Sequence, residues 1–477
     1  MTSKPAQTDS LVEDLIEGLT EIIATLALLV WRLLFVAAGN LILMIGAAGV
    51  WATLHWHGRI PAVAVCAGFV LALLTWRATF PRSFSRAVGL PATASTWGCL
   101  VRVRWSHVAA RHGLVANSYA GESGSQVDRE VAELGRIKAT LGMLRLRVRL
   151  PAGLTTADIE GACEGLAHAF RVRECRVVAD RPGFVWLELH RRDLLAAVVS
   201  PLPTIEAVDL DRVPVGRHED GTAWTIGVRG THLLLAGATG SGKSSVLWSM
   251  LRALSGRIGA GSVQVWAVDP KGGMELGPGR ALFSRFEDSD PERMCQLVEA
   301  LVDLKDTRAQ ELASAGRRVH DATPASPHIV LIVDELATLT AFAERKIMSR
   351  FDQALGLLLT QGRACGITVV SAVQDPGKDV VGWRDLFPTR IALRLDNPIQ
   401  VDMVLGDGAR DRGARADHIN ELTPGVAYVR TLGTRQLKRV RSAYLNDTDI
   451  GDLVRATSAP LDDVLAELEA DLQGGAS

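Results

Sequence analysis

The chain has 477 residues, enough for about three domains, and its 48% of hydrophobic residues is a high fraction for a soluble protein. Its 52 basic and 53 acidic residues leave a net charge of −1, which does not by itself distinguish one class of partner from another. The six cysteines have neither paired spacing nor a neighbouring histidine cluster. This pattern argues against a disulfide framework or a structural metal site and fits a reducing cytoplasm.

The hydrophobic excess is concentrated near the N-terminus. Residues 1–32 combine leucines at helical spacing with acids on the opposite side, which predicts a cytoplasmic amphipathic lead-in helix. Residues 33–76 contain two apolar stretches, 22 residues from Leu33 to Leu54 and 17 residues from Ile60 to Trp76. Their lengths predict an N-terminal hairpin of two transmembrane helices. The alternative is a buried helical hairpin in a soluble protein.

The residues that flank these stretches predict their orientation. Tryptophans, which favour the headgroup region, lie at the ends of both stretches at positions Trp51, Trp56 and Trp76. Arginines follow the second stretch directly at Arg77, Arg82 and Arg86. The positive-inside rule therefore predicts a multi-pass protein of the plasma membrane with both termini in the cytoplasm.

Residues 77–205 predict a small α+β domain. The segment Leu144–Leu150 alternates apolar and basic residues as a strand does, 157–170 has the periodicity of a helix, and 184–189 is strand-like. The alternation places three arginines on one face of the first strand: Arg145, Arg147 and Arg149. This face could contact nucleic acid, or it could be an ordinary solvated sheet face.

From residue 206 to residue 445, apolar strands alternate with helices, which predicts an open parallel α/β sheet. The first apolar run, Leu233–Ala236, precedes a glycine-rich segment and a helical pattern. Glycines in such a segment let successive backbone N–H groups converge on phosphates at the N-terminus of the helix. The segment is therefore predicted to bind a nucleoside triphosphate through Gly237, Ala238, Thr239, Gly240, Ser241, Gly242, Lys243, Ser244 and Ser245.

Individual side chains of this segment have expected roles. Lys243 is expected to reach the β and γ phosphates, and Ser244 to ligate Mg²⁺. A continuous apolar run from His328 ends in Asp334 and Glu335, as expected of a buried parallel strand that delivers two acids to the same sheet edge. Asp334 suits the Mg²⁺ shell, and Glu335 suits a base for the attacking water. Two acids that only stabilise a helix N-terminus are the alternative.

Three further strands complete the predicted sheet. Val263–Val268 ends in Asp269, a second run from Ile367 ends near Gln374, and a third begins at Arg390. Their carboxyl ends are expected to meet at the edge where the nucleotide binds. Residues 446–477 predict an acidic amphipathic tail helix.

Several segments together resemble the FtsK/SpoIIIE family of DNA translocases. The segments Thr231–Ser245, Val268–Lys271, Ile332–Leu336, Gln361–Ile367 and Ala372–Pro376 occur in the order and spacing of that family. The resemblance covers roughly Thr204 to Leu445, and residues 77–205 look like the smaller domain that precedes the motor in the family. It implies a RecA-like ATPase that uses ATP and Mg²⁺ and assembles as a ring, expected to be a hexamer, around double-stranded DNA.

The resemblance also implies roles for single residues. Gln374 matches the sensor of the γ-phosphate, and Arg363 is the candidate for an arginine that acts between subunits, with Arg350 and Arg390 as competitors. Lys378 and Arg384 fall near the position of basic residues that contact DNA phosphates in the pore, although they could belong to a solvated loop. The chain departs from the family at Asp375, where arginine is usual, so the charge beside the sensor is reversed.

The layout of the chain discriminates among the functions of the family. The sequence has two predicted spans and neither a low-complexity linker nor a segment that matches a C-terminal winged helix. This layout resembles the compact actinobacterial proteins that transfer double-stranded DNA of conjugative elements between cells, with a possible partner protein for sequence recognition. A chromosome-segregation or cell-division DNA pump is the first alternative. A type VII protein-secretion ATPase is the second, although such proteins usually join several ATPase modules and this chain has one phosphate loop.

Overall fold

The computed structural model describes residues 40–120, 126–140, 142–335, 344–377, 384–431, 433–434 and 436–457. The chain divides into two compact units, one up to Asp193 and one from Leu194 onward. The predicted lead-in helix, the first residues of the first predicted span, Lys378 and most of the predicted tail helix lie outside the described residues. The predicted domain boundaries at 32, 76, 205 and 445 remain predictions.

The first unit begins with two helices, α1 (Leu41–His57) and α2 (Arg59–Thr79), which meet at Gly58 with a φ of 91°. Asn40 caps α1, because its side chain accepts hydrogen bonds from two N–H groups of the first turn. The helices pack closely, since a Cβ atom at Gly46 would lie 2.3 Å from the ring of Phe69. Among the described residues, α2 is the helix that is long and apolar enough to cross a membrane.

A small domain follows these helices. Its elements are α3 (Leu90–Arg111), β1 (Val115–Ala120), β2 (Gln126–Val131), β3 (Glu133–Ala139), β4 (Met143–Arg149), α4 (Thr156–Ala169), β5 (Glu174–Arg181) and β6 (Phe184–His190). Four of the strands form an antiparallel sheet in the order β3-β4-β6-β5. The alternating pattern of β4 buries Leu144, Leu146 and Val148 against α3 and α4, so the predicted strand, helix and strand are present.

The arginine face of β4 is paired with acids. Arg145 lies 3.0 Å from a carboxylate oxygen of Glu188, and Arg147 lies 2.8 Å from one of Asp180. Arg149 contacts Glu133 at 3.3 Å. Because each guanidinium already has a carboxylate partner, these arginines favour an ordinary sheet face over a nucleic-acid surface.

The second unit contains one ten-stranded sheet. Its elements are β7 (Val213–His218), β8 (Ala223–Ile226), β9 (Leu233–Ala236), α5 (Lys243–Gly259), β10 (Val263–Val268), β11 (Arg285–Glu287), α6 (Pro291–Ser314), β12 (His328–Val333), α7 (Arg345–Gln361), β13 (Ile367–Val373), β14 (Thr389–Ala392), α8 (Pro398–Leu405), β15 (Val426–Arg430) and β16 (Lys438–Ser442). The strand order is β11-β10-β12-β13-β9-β14-β15-β16-β7-β8.

The prediction of an open parallel sheet holds for only part of this sheet. The six strands from β11 to β14 are parallel, whereas β15, β16, β7 and β8 pair antiparallel. The antiparallel strands are joined by short turns such as the one at Gly221, which has a φ of 86° and links β7 to β8. Charged or polar residues occur in β7, β8, β15 and β16, so these strands differ from the continuous apolar runs that identify the central strands.

Helices cover both faces of the parallel strands. The apolar residues of β9, β12 and β13 are fully buried on both faces, as a central parallel strand requires. Alternate residues of these strands pack on α6, α7 and α8 on one side and on α5 with β7 and β8 on the other. The two layers fix the carboxyl ends of β9, β10, β12 and β13 at one edge of the sheet.

Two buried histidines lie at the opposite, amino edge of the sheet. Burial lowers the pKa of His328 to about 4, and burial together with the nearby Arg363 lowers that of His232 to about 3. Nε2 of His328 is hydrogen-bonded to the Thr368 hydroxyl at 3.0 Å. Both histidines are therefore neutral in the folded chain near neutral pH.

We expect these histidines to make the second unit sensitive to acid. The imidazole of His328 binds a proton below about pH 6.5 in the unfolded chain but only below about pH 4 in the folded chain. The free energy of unfolding therefore falls as the pH decreases from about 6.5 to about 4. His328 alone should lower the free energy of unfolding by about 2 kcal/mol when the pH is lowered from 7.5 to 5. Unfolding followed at both pH values should show this loss in the wild type and a smaller loss in His328→Gln. An equal loss of stability in the two proteins would show that His328 does not cause the sensitivity to acid.

Candidate nucleotide and metal site

The glycine-rich segment connects β9 to α5 in a tight loop. Gly240 and Gly242 have φ values of 71° and 96°, a region that residues with a Cβ atom rarely adopt. A Cβ atom at Gly237 would lie 2.5 Å from the Ser241 hydroxyl, and one at Gly242 would lie 2.2 Å from the backbone nitrogen of Gly425. The loop therefore has the conformation predicted for it, with the N-terminus of the 17-residue helix α5 at its end.

Lys243 is the first residue of α5, and its side chain folds back over the loop. Its Nζ donates hydrogen bonds to the carbonyl oxygens of Gly237 at 2.7 Å and Ala238 at 3.4 Å. Burial lowers the pKa of this ammonium group, while the carboxylates of Glu335, Asp334 and Glu275 act in the opposite direction. The ammonium group is thus held beside the space enclosed by the loop.

Neighbouring strands support the loop from two sides. The Thr239 hydroxyl donates to Oε1 of Gln374 at 3.2 Å, which brings the predicted sensor to the loop. Arg394, just after β14, donates to the carbonyl of Thr239 at 2.9 Å. The N–H of Gly425, which precedes β15, donates to the carbonyl of Ser241 at 2.8 Å. Neither Arg394 nor Gly425 belongs to a sequence motif, because each contacts a backbone carbonyl of the loop that is distant in the chain.

The two predicted acids follow β12 at the same edge. Asp334 is 3% and Glu335 is 6% exposed, so both carboxylates are nearly removed from solvent. Glu335 has a φ of 53°, rare for a residue with a side chain, and its Oε1 accepts the N–H of Gln374 at 3.2 Å. Burial raises the pKa of Asp334 to about 6, although Lys271 opposes the shift.

A turn after β10 supplies three residues for which the sequence suggested no role: Asp269, Lys271 and Glu275. Asp269 is fully buried and accepts backbone N–H groups of Lys271, Glu275 and Leu276 at 3.1 to 3.2 Å, which fixes the shape of the turn. Nζ of Lys271 lies 3.3 Å from Oε2 of Glu335. The Ser244 hydroxyl donates to Oε2 of Glu275. Proximity of Asp269–Lys271 to the same sheet edge was the available sequence signal.

The side chains around Ser244 fit a divalent cation. Oδ2 of Asp334 is buried and, within the part of the chain that the structure describes, accepts no hydrogen bond; its nearest cationic neighbour is Nζ of Lys271 at 3.9 Å. Hydroxyl and carboxylate oxygens are the ligands that Mg²⁺ prefers. Ser244 and Asp334 could therefore hold the ion, as the sequence predicted, beside the phosphates bound by the loop.

Two further predicted residues, Arg363 and Arg384, lie at the amino edge of the sheet. Arg363 precedes β13, whose carboxyl end contacts the loop, and a seven-residue strand is about 20 Å long. Arg363 therefore cannot reach the nucleotide site of its own chain. Arg384 precedes β14 at the same amino edge and belongs to a short 3₁₀ helix. Lys378 lies outside the described residues.

The two competitors of Arg363 have structural partners. Arg350 forms charge-assisted hydrogen bonds with Glu292 and Glu299 at 2.6 to 2.9 Å. Arg390 is 7% exposed and donates to the carbonyl of Phe387 at 3.0 Å. Asp375, the departure from the family pattern, is exposed and accepts the N–H of Gly377 at 3.1 Å in a local turn.

Together, the parallel sheet, the phosphate loop and the two acids at its edge define the class of this protein as a P-loop ATPase. Residues 205–325 match the FtsK/SpoIIIE family, and residues 71–191 match the actinomycete conjugal transfer protein N-terminal domain. The resemblance that the sequence motifs indicated is thereby confirmed over these two segments.

Individual relatives are longer than this chain. The DNA translocase FtsK of Corynebacterium efficiens is 25% identical over 363 residues, which cover 70% of this chain and 37% of that protein. The DNA translocase SpoIIIE of Bacillus subtilis is 25% identical over 328 residues, 63% of this chain and 40% of that protein. The chain thus spans less than half the length of these relatives.

Two solved structures also align with part of this chain. The pCW3 conjugation coupling protein TcpA, solved as a monomer with ATPγS, is 18% identical with a TM-score of 0.48, covering 74% of this chain and 99% of that one. The cytoplasmic domain of the type VII secretion ATPase EccC of Thermomonospora curvata is 20% identical with a TM-score of 0.43, covering 55% of this chain and 34% of that one.

Proposed function

We propose that this chain is a membrane-anchored, ATP-driven translocase of double-stranded DNA that acts in conjugal DNA transfer between cells. One observation carries the proposal: the match to an actinomycete conjugal transfer domain and the match to the FtsK/SpoIIIE family occur in one chain. The second match contains a phosphate loop whose Lys243 interacts electrostatically with the acids Asp334 and Glu335. ATP with Mg²⁺ is the proposed fuel, with Glu335 as the base for water and Gln374 as the sensor.

The membrane anchor is proposed from the exposed apolar surface of α1 and α2. Only 6% of the most apolar 18-residue stretch of α2 is buried, whereas the core helix of a soluble protein would be mostly buried. Large apolar side chains on these helices are exposed to solvent: Trp56 is 78%, Ile60 86% and Val63 68% exposed. A hydrocarbon environment would cover this surface, so we propose a two-span hairpin in the plasma membrane with the ATPase unit in the cytoplasm.

A homo-oligomeric ring, expected to be a hexamer, is proposed from the position of Arg363. This arginine is half-buried at the sheet edge remote from its own nucleotide site, so it can assist hydrolysis only at the site of a neighbouring subunit. Arg384 lies at the same edge and, with Lys378, is proposed to contact DNA phosphates without reading sequence. A separate partner protein would then supply sequence recognition.

Mixing two inactive variants tests the role of Arg363. Arg363→Ala should lower ATP turnover at least about 100-fold, and Lys243→Ala should also be inactive. In mixed rings, Lys243→Ala subunits still supply arginine to intact Arg363→Ala sites, so about a quarter of wild-type turnover should return on random mixing. Subunits that assemble together without any recovery would eliminate Arg363 as the intersubunit arginine.

The proposed function is tested by ATP turnover of the detergent-solubilised chain with no polymer, with linear duplex DNA and with single-stranded DNA. Lys243→Ala provides the background. Duplex DNA should stimulate turnover severalfold more than single strands, because the DNA contacts are repeated around a ring that encloses a duplex. Lys243-dependent turnover that responds to neither polymer would instead favour a protein-secretion ATPase.

The curated relatives named DNA translocase favour a second candidate, a chromosome-segregation or cell-division DNA pump. Both candidates use the same chemistry and differ in the DNA that they load. Transfer of a marked conjugative element between cells, with the wild-type gene or with Lys243→Ala, separates them. Loss of transfer with normal chromosome partition favours the conjugal function.

A further inference from the structure

The turn after β10 brings a third carboxylate to the position of the proposed metal site. Glu275 is half-buried, and its Oε2 accepts the hydroxyl proton of Ser244, the residue expected to ligate Mg²⁺. This contact joins residues 31 positions apart, from the turn after one strand and the first turn of α5. We propose that Glu275 is a positioning residue of the Mg²⁺ site, which holds the Ser244 hydroxyl so that its oxygen faces the ion. This inference rests on the proposed use of ATP with Mg²⁺.

Buried residues hold the backbone of Glu275 in place. Asp269 has no exposed surface and accepts the backbone N–H groups of Glu275 and Leu276 at 3.2 and 3.1 Å. Leu276 is 1% exposed and belongs to the core that contains α5. The backbone of Glu275 is therefore anchored on both a buried acid and the hydrophobic core, and its side chain is directed to Ser244.

The carboxylate of Asp334 is the proposed ligand of the cation. Asp334 is 3% exposed, and its Oδ2 has no hydrogen-bond donor among the described residues. The carboxylates of Glu335, Asp334 and Glu275 interact electrostatically with Lys243, and Nζ of Lys271 lies 3.3 Å from Oε2 of Glu335. Hydroxyl and carboxylate oxygens are the ligands that Mg²⁺ prefers, so Ser244 and Asp334 fit such an ion.

Hydroxyl chemistry explains why an acceptor is needed beside Ser244. A serine oxygen that ligates a cation keeps its proton, and in a confined site that proton needs an acceptor. Glu275 accepts it, which leaves an oxygen lone pair free for the ion and fixes the hydroxyl rotor. Outer-shell acceptors of this kind typically change metal affinity by about 10-fold to 100-fold when they are removed.

The test measures equilibrium binding of a fluorescent ATP analogue to the full chain, with Mg²⁺ and with excess chelator. In Glu275→Ala, the gain in affinity that Mg²⁺ gives should fall by about 10-fold, whereas binding without Mg²⁺ should stay within about twofold of wild type. Glu275→Gln keeps an acceptor oxygen and should lose less. Glu311→Ala, a change of an exposed acid on α6, is the matched control and should keep the full gain.

A double-mutant cycle with Ser244→Ala distinguishes positioning from a general structural effect. If Glu275 acts through Ser244, adding Glu275→Ala to Ser244→Ala should cause no further loss of the Mg²⁺ gain. A wild-type Mg²⁺ gain in Glu275→Ala, or full additivity in the cycle, would overturn the inference while leaving the proposed function intact. Failure of the wild type to bind the analogue at all would overturn the proposed function itself.

Discussion

Lys243→Ala should weaken ATP binding about 100-fold and abolish turnover. Its Nζ is held 2.7 Å from the carbonyl of Gly237, inside the loop where phosphate oxygens would lie. Loss of charge-assisted hydrogen bonds to two phosphates costs about 3 kcal/mol, so affinity for ATP should weaken about 100-fold. Titration with a fluorescent ATP analogue measures the affinity, and phosphate release measures the turnover.

The matched control for this variant is Lys346→Ala, which removes an exposed lysine on α7. It should bind and hydrolyse ATP as the wild type does, because it lies outside the site. An Lys243→Ala protein that is folded and retains wild-type affinity for ATP would show that the Lys243 side chain does not bind the phosphates.

Glu335→Gln should stop hydrolysis and spare ATP binding. The Glu335 carboxylate is 6% exposed, and its Oε1 accepts the N–H of Gln374, the proposed sensor. Glutamine keeps the size of the side chain and an acceptor oxygen but cannot take a proton from water. Turnover should therefore fall by about 1,000-fold while the affinity for ATP changes less than about threefold.

Glu344→Gln is the control for Glu335→Gln, because Glu344 is an exposed acid at the start of α7. Single-turnover hydrolysis with excess enzyme separates the chemical step from product release. A Glu335→Gln protein with an undiminished chemical step would remove Glu335 from the role of base and direct attention to other groups at the site.

Much of the phosphate site could be predicted because its residues are contiguous or end a continuous apolar strand. The glycines of the loop from Gly237 to Ser244 indicate its conformation. The strand β12 is apolar up to Asp334 and Glu335, which identifies these two acids as the residues at its carboxyl end. Parallel strands share an edge, so the meeting of Asp334 with Lys243 follows from the fold class.

Other parts of the site depend on contacts that a linear pattern does not encode. The contact of Glu275 with Ser244 requires the turn geometry that buried Asp269 imposes, and a single buried acid has no distinctive spacing. The antiparallel strands β15 and β16 pair through backbone groups, and their mixed composition hides them from a search for apolar runs. The partners of Arg350 on α6 likewise appear only when α6 and α7 pack together.

Displacement of a third strand from duplex DNA tests the central claim most directly, because only a motor that moves along the duplex removes a bound triplex-forming strand. The full chain in detergent is given ATP, Mg²⁺ and a linear duplex that carries the triplex near one end. The proposed function predicts release of the third strand that requires ATP and is lost in Glu335→Gln, which still binds ATP. Hydrolysis of ATP stimulated by the duplex without any release of the third strand would contradict translocation.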